Sequence, residues 1–529
     1  MSPRIQALHV HGVSLIALAS VLTTALASTH TAGQESRGFD QDLVDDPTQG
    51  PIRIRITEIA SGFTGAVNGM TQFLPTDLDT IPDGSGRLCV QTLGGVIRLI
   101  DPVSGLQAEP YLVTVNSNSQ VNAGLFGMTS LAFHPDFASQ GSPGFGKLYT
   151  IETELQTAGT PDFDGSLVQN GFGGIHHDVV YEYTTTTPSS NVFTGSKREL
   201  LRVEQPGSDH NVVDLVFGAG SDSSNLYITS GDGANASKGV SLIRQNPQTL
   251  SNVFGKILRI HPLGTNSTNG QYGIPADNPF VGDASVLPEI YSYGHRSPYR
   301  LTVDQTTGIL WLGEVGQIQI EEINQVTSGS NYGWPLKEGS FLFDETDLDN
   351  NQIDPDLDSN GTGDFADANQ LTDPIFELDH QTARSITGGY VYRSDSIPDL
   401  NGNYVFADAF GNGLYYAAPA DGPVSGENGN VRTFLVDPAG IQVPFGAISI
   451  GQDQDNELYL LTFDGRVLKL NAWPCNGADF FPDGALNFID VSTFLSTYSA
   501  QSSDADLTED GQLNFQDISA FLSIFSSGC

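Results

Sequence analysis

A chain of 529 residues carries 62 Asp and Glu against 22 Lys and Arg, a formal net charge of −40, which repels nucleic acid and anionic membranes and excludes both as non-specific partners. Its 59 Gly and 28 Pro, beside only 16% charged residues, suit many tight turns and exclude long charged coiled coils. With 38% hydrophobic residues the chain can bury a large core, as one repetitive domain or as several.

Residues 1–27 read as a secretory signal. Arg4 supplies the basic start, Val13 to Ala27 an apolar run, and Ala25-Leu26-Ala27 a small-residue cleavage site. Ser14, Ser20, Thr23 and Thr24 dilute the run, which disfavours an uncleaved anchor of about 18 strongly apolar residues. No later segment is apolar enough to span a bilayer, so the protein is expected to be secreted, with no membrane span after cleavage. Residues 28–50 are polar and unpatterned and read as a flexible lead-in. Cys89, in the apolar run Leu88-Cys89-Val90, reads as a buried thiol. Cys475 and Cys529 bracket the last segment, and a disulfide between them would clasp its ends.

Six short aromatic or aliphatic strands follow in the middle of the chain: Leu88-Cys89-Val90, Lys147-Leu148-Tyr149-Thr150, Asn225-Leu226-Tyr227-Ile228, Ile309-Leu310-Trp311-Leu312, Asn403-Tyr404-Val405-Phe406 and Glu457-Leu458-Tyr459-Leu460. Their mean spacing of about 74 residues leaves room for one four-stranded blade each. Helical periodicity is scarce, and Asp232-Gly233, Asp421-Gly422 and Asp464-Gly465 are turn signals. Residues 51–472 are therefore expected to form an all-β propeller. Phe341 to His380 interrupts it with twelve acidic residues and no Lys or Arg; the stretch is either a solvated acidic loop or one clamped by calcium.

The tail repeats itself at an offset of 27 residues: Asp483-Gly484-Ala485-Leu486-Asn487-Phe488-Ile489-Asp490 matches Asp510-Gly511-Gln512-Leu513-Asn514-Phe515-Gln516-Asp517. Each copy is followed by an apolar helical segment. Read as a calcium loop, the second copy offers Asp506, Thr508, Asp510, the carbonyl of Gln512, Asn514 and Asp517 at positions 1, 3, 5, 7, 9 and 12, with Gly511 at the sharp turn. The first copy offers Asp479, Asp483, Ala485, Asn487 and Asp490, but Phe481 stands where position 3 needs an oxygen, so it is expected to bind more weakly. Paired loops of this kind over 475–529 resemble a dockerin type I module, which implies a small α-helical calcium-loop domain and a cohesin-like scaffold protein as partner. A calcium-stapled end cap is the structural alternative.

Three further segments resemble the glucose/sorbosone dehydrogenase family. They are Leu131-Ala132-Phe133-His134-Pro135-Asp136-Phe137, then Asn252-Val253-Phe254-Gly255-Lys256-Ile257-Leu258-Arg259-Ile260, then Ile274-Pro275-Ala276-Asp277-Asn278-Pro279-Phe280 through Gly294-His295-Arg296-Ser297-Pro298 to Asn331-Tyr332-Gly333-Trp334-Pro335. The family includes soluble quinoprotein aldose dehydrogenases and Hedgehog-interacting-protein-like domains. The resemblance implies six blades, pyrroloquinoline quinone and calcium as cofactors, and a sugar or glycan as ligand.

It also implies roles. His210, in Ser208-Asp209-His210-Asn211, matches the family's catalytic base, an imidazole titrating near working pH to take the anomeric proton; Asp209 would orient it or pair with it. Arg296 matches the arginine that contacts the quinone, and Ser297 stands where the family has asparagine. Gly316 and Gln317 match the residues whose carbonyls hold the cofactor's calcium, with Glu321 and Glu322 near enough to support that loop. His134 reads as structural. The late-blade lysine and the paired Arg-x-Arg of quinoprotein members are missing: Ala407-Asp408-Ala409-Phe410 and Pro444-Phe445-Gly446-Ala447 stand there. Arg393 and Arg432 are candidate substitutes. Two readings remain, a quinoprotein-type sugar dehydrogenase and a non-catalytic glycan- or protein-binding propeller tethered by its tail.

Overall fold

The computed structural model describes residues 44–526 apart from 68, 120–125, 166–175, 234–244, 318, 344–352, 359–370, 412, 418–430, 445, 474–476, 482–485 and 509–510. The segment expected to be a signal and most of the expected lead-in, most of the acidic stretch, Cys475, Cys529, Asp483, Ala485 and Asp510 lie outside the described residues.

Short strands joined by turns dominate the fold. Six of them begin successive antiparallel units and are labelled β1 (Pro75–Thr80), β2 (Met128–Phe133), β3 (Val212–Phe217), β4 (Pro298–Val303), β5 (Ile386–Val391) and β6 (Ala447–Gln452). Each packs against the next, and β6 packs against β1, which closes a ring. Behind β1 to β4 the chain adds further antiparallel strands in order, giving four separate sheets in a propeller-like arrangement. The six aromatic or aliphatic strands singled out in the sequence all fall in the second place of their units: Leu88–Thr92, Lys147–Leu155, Leu226–Ser230, Leu310–Glu314, Tyr404–Asp408 and Leu458–Thr462. Their side chains fill the layers between sheets, where Leu226, Ile228, Trp311, Tyr404, Leu458 and Leu460 are almost wholly buried. Cys89 joins that core beside Ile97 and Leu99.

The expected six separate blades are not what the hydrogen bonding draws. The strands behind β5 and β6 form one continuous eight-stranded sheet. Its joint is the strand Thr48–Ser61, which begins a few residues before the expected boundary at 51. Ile52, Ile54 and Ile56 point inward and alternate with outward Arg53 and Arg55. Being 14 residues long, the strand serves two neighbours: it pairs parallel with Arg432–Val436 and antiparallel with Arg466–Ala472.

The ring is cross-linked on its inside by buried polar groups. Arg300 on β4 donates from Nη1 to Asp214 Oδ1 on β3 at 2.8 Å, and from Nη2 to the carbonyls of Thr76 and Thr129. Ser130 on β2 donates to Asp214 at 2.8 Å and to Asp77 on β1 at 3.1 Å. Burial pushes the Asp77 carboxyl up to about 6, against the pull of Arg300, and burial together with Asp77 pushes Asp79 up to about 7. A carboxyl raised in this way keeps its proton in the folded state after the unfolded chain has lost it. The two therefore favour folding at acid pH, and that contribution is lost as pH rises from about 4 to about 7. Asp79→Asn should remove part of this slope: its melting temperature relative to the wild type should rise between pH 5 and pH 7.5, as differential scanning calorimetry would show.

Beyond the sheets lie two helices, α1 (Phe488–Ser499) and α2 (Phe515–Ser526). Their starts are duplicates. Asn487 accepts from Ile489 N while Asp490 accepts from Asn487 N; Asn514 accepts from Gln516 N while Asp517 accepts from Asn514 N. The helices meet through Phe494 and Phe521, whose rings stack at 4.1 Å, with Phe480 edge-on to both. Among the described residues no helix is long and apolar enough to cross a membrane.

Candidate active site at the mouth of the ring

His210 lies in the turn entering β3, at φ 52°. That left-handed backbone costs a side-chain-bearing residue of order 1–3 kcal/mol and persists only where its surroundings dictate it. Here they do: Gly231 passes beneath, and a Cβ at that glycine would lie 2.4 Å from the His210 carbonyl. His210 Nδ1–H donates to Asp232 Oδ1 at 2.7 Å, and the indole N–H of Trp334 donates to Asp232 Oδ2 at 2.9 Å. Asp232 is itself pinned, its N–H to the Arg296 carbonyl and its carbonyl to Asn246 Nδ2, both at 2.9 Å. The carboxylate assigns the proton to Nδ1, which leaves the Nε2 lone pair with no partner among the described residues.

The expected orienting group, Asp209, is not the one in place. Its carboxylate accepts from Ser208 Oγ at 3.3 Å, and a residue two past the end of the strand Leu226–Ser230 takes the Nδ1 position instead. Asp232 does so, although the sequence marks it only as part of an Asp-Gly turn.

Trp334 joins the dyad to Arg296, whose guanidinium carbon lies 5.6 Å from the ring centroid. Arg296 Nε donates to Gln317 Oε1 and Nη1 to the Val315 carbonyl, both at 2.9 Å, so among the described residues Nη2 is left for a ligand. Ser297 is buried and gives its carbonyl to Val315 N. The loop that follows is held by carboxylates. Glu338 Oε1 accepts from the backbone N–H of Gln317, Gln319 and Ile320 at 2.7, 2.9 and 3.1 Å. Glu321 accepts from Gly316 N at 3.3 Å, from His380 Nε2 at 2.7 Å and from Ile386 N at 2.8 Å. Burial alone would lower the His380 pKa, but the Glu321 carboxylate outweighs it and holds the ring above its usual value. Gly316 is required, since a Cβ there would meet the Ile320 carbonyl at 1.7 Å. Glu322 turns elsewhere, accepting from Gly339 N and Asn324 Nδ2. Glu338 and His380 carry no signal in the sequence because the fold brings them to the loop from a distance along the chain.

Whether the residues fit a quinone and calcium turns on two observations. Among the described residues no hydrogen bond occupies the carbonyls of Gly316 or Gln317, leaving two hard oxygen donors beside Arg296 of the kind calcium takes. Asp408, expected to repel an anion, turns Oδ1 into the chain, accepting from Ser385 N at 2.9 Å and Phe410 N at 3.2 Å. Its Oδ2 is buried without a partner among the described residues, and burial raises its pKa, with Glu321 adding to the rise. The two carbonyls and the Arg296 guanidinium fit an anionic ligand held with calcium, while Asp408 sets an acid on the opposing side. Among the described residues no cluster of three or more His, Cys, Asp or Glu is placed to hold a metal, so carbonyls and the ligand itself would have to supply the coordination.

The two candidate late arginines are not at this mouth. Arg393 follows the far end of β5 and forks onto Asp304, while Arg432 lies on an outer strand. His134 is structural, accepting from Asp136 N and packing on Phe217.

A propeller-like ring with a histidine–carboxylate dyad and a stacked arginine at its mouth is the architecture that fold and site define. The chain belongs to the family described as Glucose / Sorbosone dehydrogenase, which it matches over residues 73–428. It is 28% identical over 451 residues to the HIPL1 protein of Arabidopsis thaliana, a match covering 75% of this chain and 61% of that protein. In fold it is similar to the apo-form of the soluble aldose sugar dehydrogenase from Escherichia coli, with a TM-score of 0.55 at 21% identity over 79% of this chain and 100% of that one. It is likewise similar to the PQQ-bound form of aldose sugar dehydrogenase from Streptomyces coelicolor, with a TM-score of 0.51 at 21% identity over 80% and 99% of the two chains.

Proposed function

We propose that the protein is a secreted sugar dehydrogenase of the quinoprotein type, acting on the anomeric hydroxyl of an aldose. The observation that carries this reading is the His210–Asp232 dyad, its Nε2 without a partner among the described residues, beside the Trp334-stacked Arg296. His210 Nε2 takes the hydroxyl proton as the sugar is oxidised. Asp232 holds the other imidazole proton on Nδ1 and stabilises the imidazolium that forms. Arg296 directs Nη2 toward a carboxylate or carbonyl oxygen of the ligand, and its ties to Val315 and Gln317 keep it from swinging away. The Gly316 and Gln317 carbonyls would hold calcium. Pyrroloquinoline quinone, when bound, supplies the hydride acceptor. The closed ring of six inner strands supports counting six blades, two of them joined through Thr48–Ser61.

Titrating the purified protein with the quinone and calcium, then following dye reduction by aldoses, tests this reading. Absence of both quinone binding and turnover would reject it in favour of a non-catalytic glycan- or protein-binding propeller. Asp408 is the observation on that side, since an acid stands where quinoprotein members are expected to place a cation.

The tail reads as a calcium-ordered tether for a cohesin-like scaffold. Supporting it, Asp517 accepts from Thr508 N and Oγ, and Asp506 from Gly511 N, which gathers positions 1, 3 and 12 of the second loop with its turn glycine. Calcium should slow hydrogen exchange of residues 486–526 in the whole protein, and Asp506→Ala with Asp517→Ala should abolish the effect. Exchange indifferent to calcium and chelator would remove the tether reading.

A further inference from the structure

We propose that Arg384 is a second anion clamp at this mouth, gripping a carboxylate of the bound ligand. The proposal deepens the reading of the mouth as the ligand site and rests on it.

Position is the first argument. His210, Arg296 and Arg384 each stand two residues before the first residue of an inner strand, in three consecutive units: Val212 of β3, Pro298 of β4 and Ile386 of β5. Those strand residues pair with the last residue of the second strand in each unit, Ser230, Glu314 and Asp408. The two arginines share a further device. Glu314 accepts from the Arg296 N–H at 2.5 Å, and Asp408 accepts from the Arg384 N–H at 3.3 Å and the Ser385 N–H at 2.9 Å. A strand-end carboxylate thus fixes the backbone from which each guanidinium projects. A bonded chain links the two turns: Arg296 is held by Val315 and Gln317, Gly316 by Glu321, and Glu321 in turn takes the N–H of Ile386.

Charge is the second. Acids outnumber bases nearly threefold, 62 to 22, so a basic head group normally finds a partner. Among the described lysines and arginines, Arg384 alone has a head group with no hydrogen bond, ion pair or ring contact, and it is exposed. Its neighbours by position are the base and the first arginine. A free planar fork at that place matches a carboxylate by two parallel hydrogen bonds, and it supplies the late cation that neither Arg393 nor Arg432 provides. A carboxylated quinone and a uronate unit of a glycan both offer this chemistry.

Binding to the full-length protein, read by tryptophan fluorescence at fixed ionic strength, separates the outcomes. Pyrroloquinoline quinone with calcium and an oligogalacturonate are the two probes. Arg384→Ala should weaken binding of whichever probe the wild type retains by roughly tenfold to a hundredfold, and Arg384→Lys by less, because the charge stays while the fork is lost. Loss of quinone binding in the alanine variant identifies the quinone as the clamped ligand. If the wild type ignores the quinone but binds the oligogalacturonate, and Arg384→Ala does not, the clamp stands and the quinoprotein reading falls. Equal affinity of wild type and Arg384→Ala for the retained probe overturns the clamp, and retention of neither probe by the wild type overturns both. Since no partner holds the side chain, the variant should melt with the wild type, which the same samples report.

Discussion

His210→Asn is expected to lower aldose-dependent dye reduction by roughly 10²- to 10⁴-fold, the usual contribution of a positioned general base, while quinone affinity stays close to that of the wild type. Asn fills the same turn and can donate to Asp232, so the loop should survive, but it offers no basic nitrogen. Asp232→Asn tests the other half of the dyad. An amide there no longer obliges the ring to carry its proton on Nδ1, and the lone pair at Nε2 is no longer assured. Its loss should appear in kcat more than in KM, since nothing in the geometry places Asp232 against the sugar. Activity in His210→Asn equal to that of the wild type would remove this histidine from the chemistry.

The second large effect concerns the ring itself. Asp214→Ala should destabilise the protein by about 3–5 kcal/mol, the cost of breaking a buried ion pair from one side, measured as a fall in the urea midpoint. Asp214 and Arg300 are 6% and 5% exposed, and the substitution takes away the partner of a guanidinium reaching from β4 across to β1 and β2. The double variant Asp214→Ala with Arg300→Met should recover part of the loss, because no unpaired charge then remains inside. A milder effect of the single variant than of the double would show that the pair does not hold the ring.

What could be read from the sequence, and what could not, divides along a physical line. Periodicity and turn chemistry act locally, so the aromatic or aliphatic strands and the two helical segments of the tail were legible, although Asn487 and Asn514, read only as loop ligands, turn out to cap those helices. As candidates, His210, Arg296 and Gly316 were legible too, since each sits in a contiguous motif. The partners were not. Asp232 follows the second strand of His210's own unit and was marked only as a turn, Trp334 was marked only as part of a family motif, and Glu338 and His380, brought in from further along the chain, had no signal of their own. Local reading accordingly named Asp209, the neighbour in sequence, whereas His210 Nδ1 is held by Asp232. The late arginines failed for the same reason: Arg393 and Arg432 were picked as cations, whereas the inner-strand register points to Arg384, which local patterning had left unremarked. The fused eight-stranded sheet was hidden too, because a strand's second partner depends on its length and on which neighbour's edge is open, and the alternation in Thr48–Ser61 specifies neither.

That strand sets a schedule for the folding of the whole molecule. Its antiparallel partner, Arg466–Ala472, is made some four hundred residues later, so on a chain synthesised from its N-terminus the first strand made waits for the last. Until then its edge is unpaired and offers a template for association with other chains, and closing so long a loop is intrinsically slow. Crossing a membrane before folding would postpone closure to the far side, where both ends are present together. Sequences able to occupy the waiting edge, such as a peptide copying residues 466–472, are then natural traps for the open form and should leave the closed one untouched.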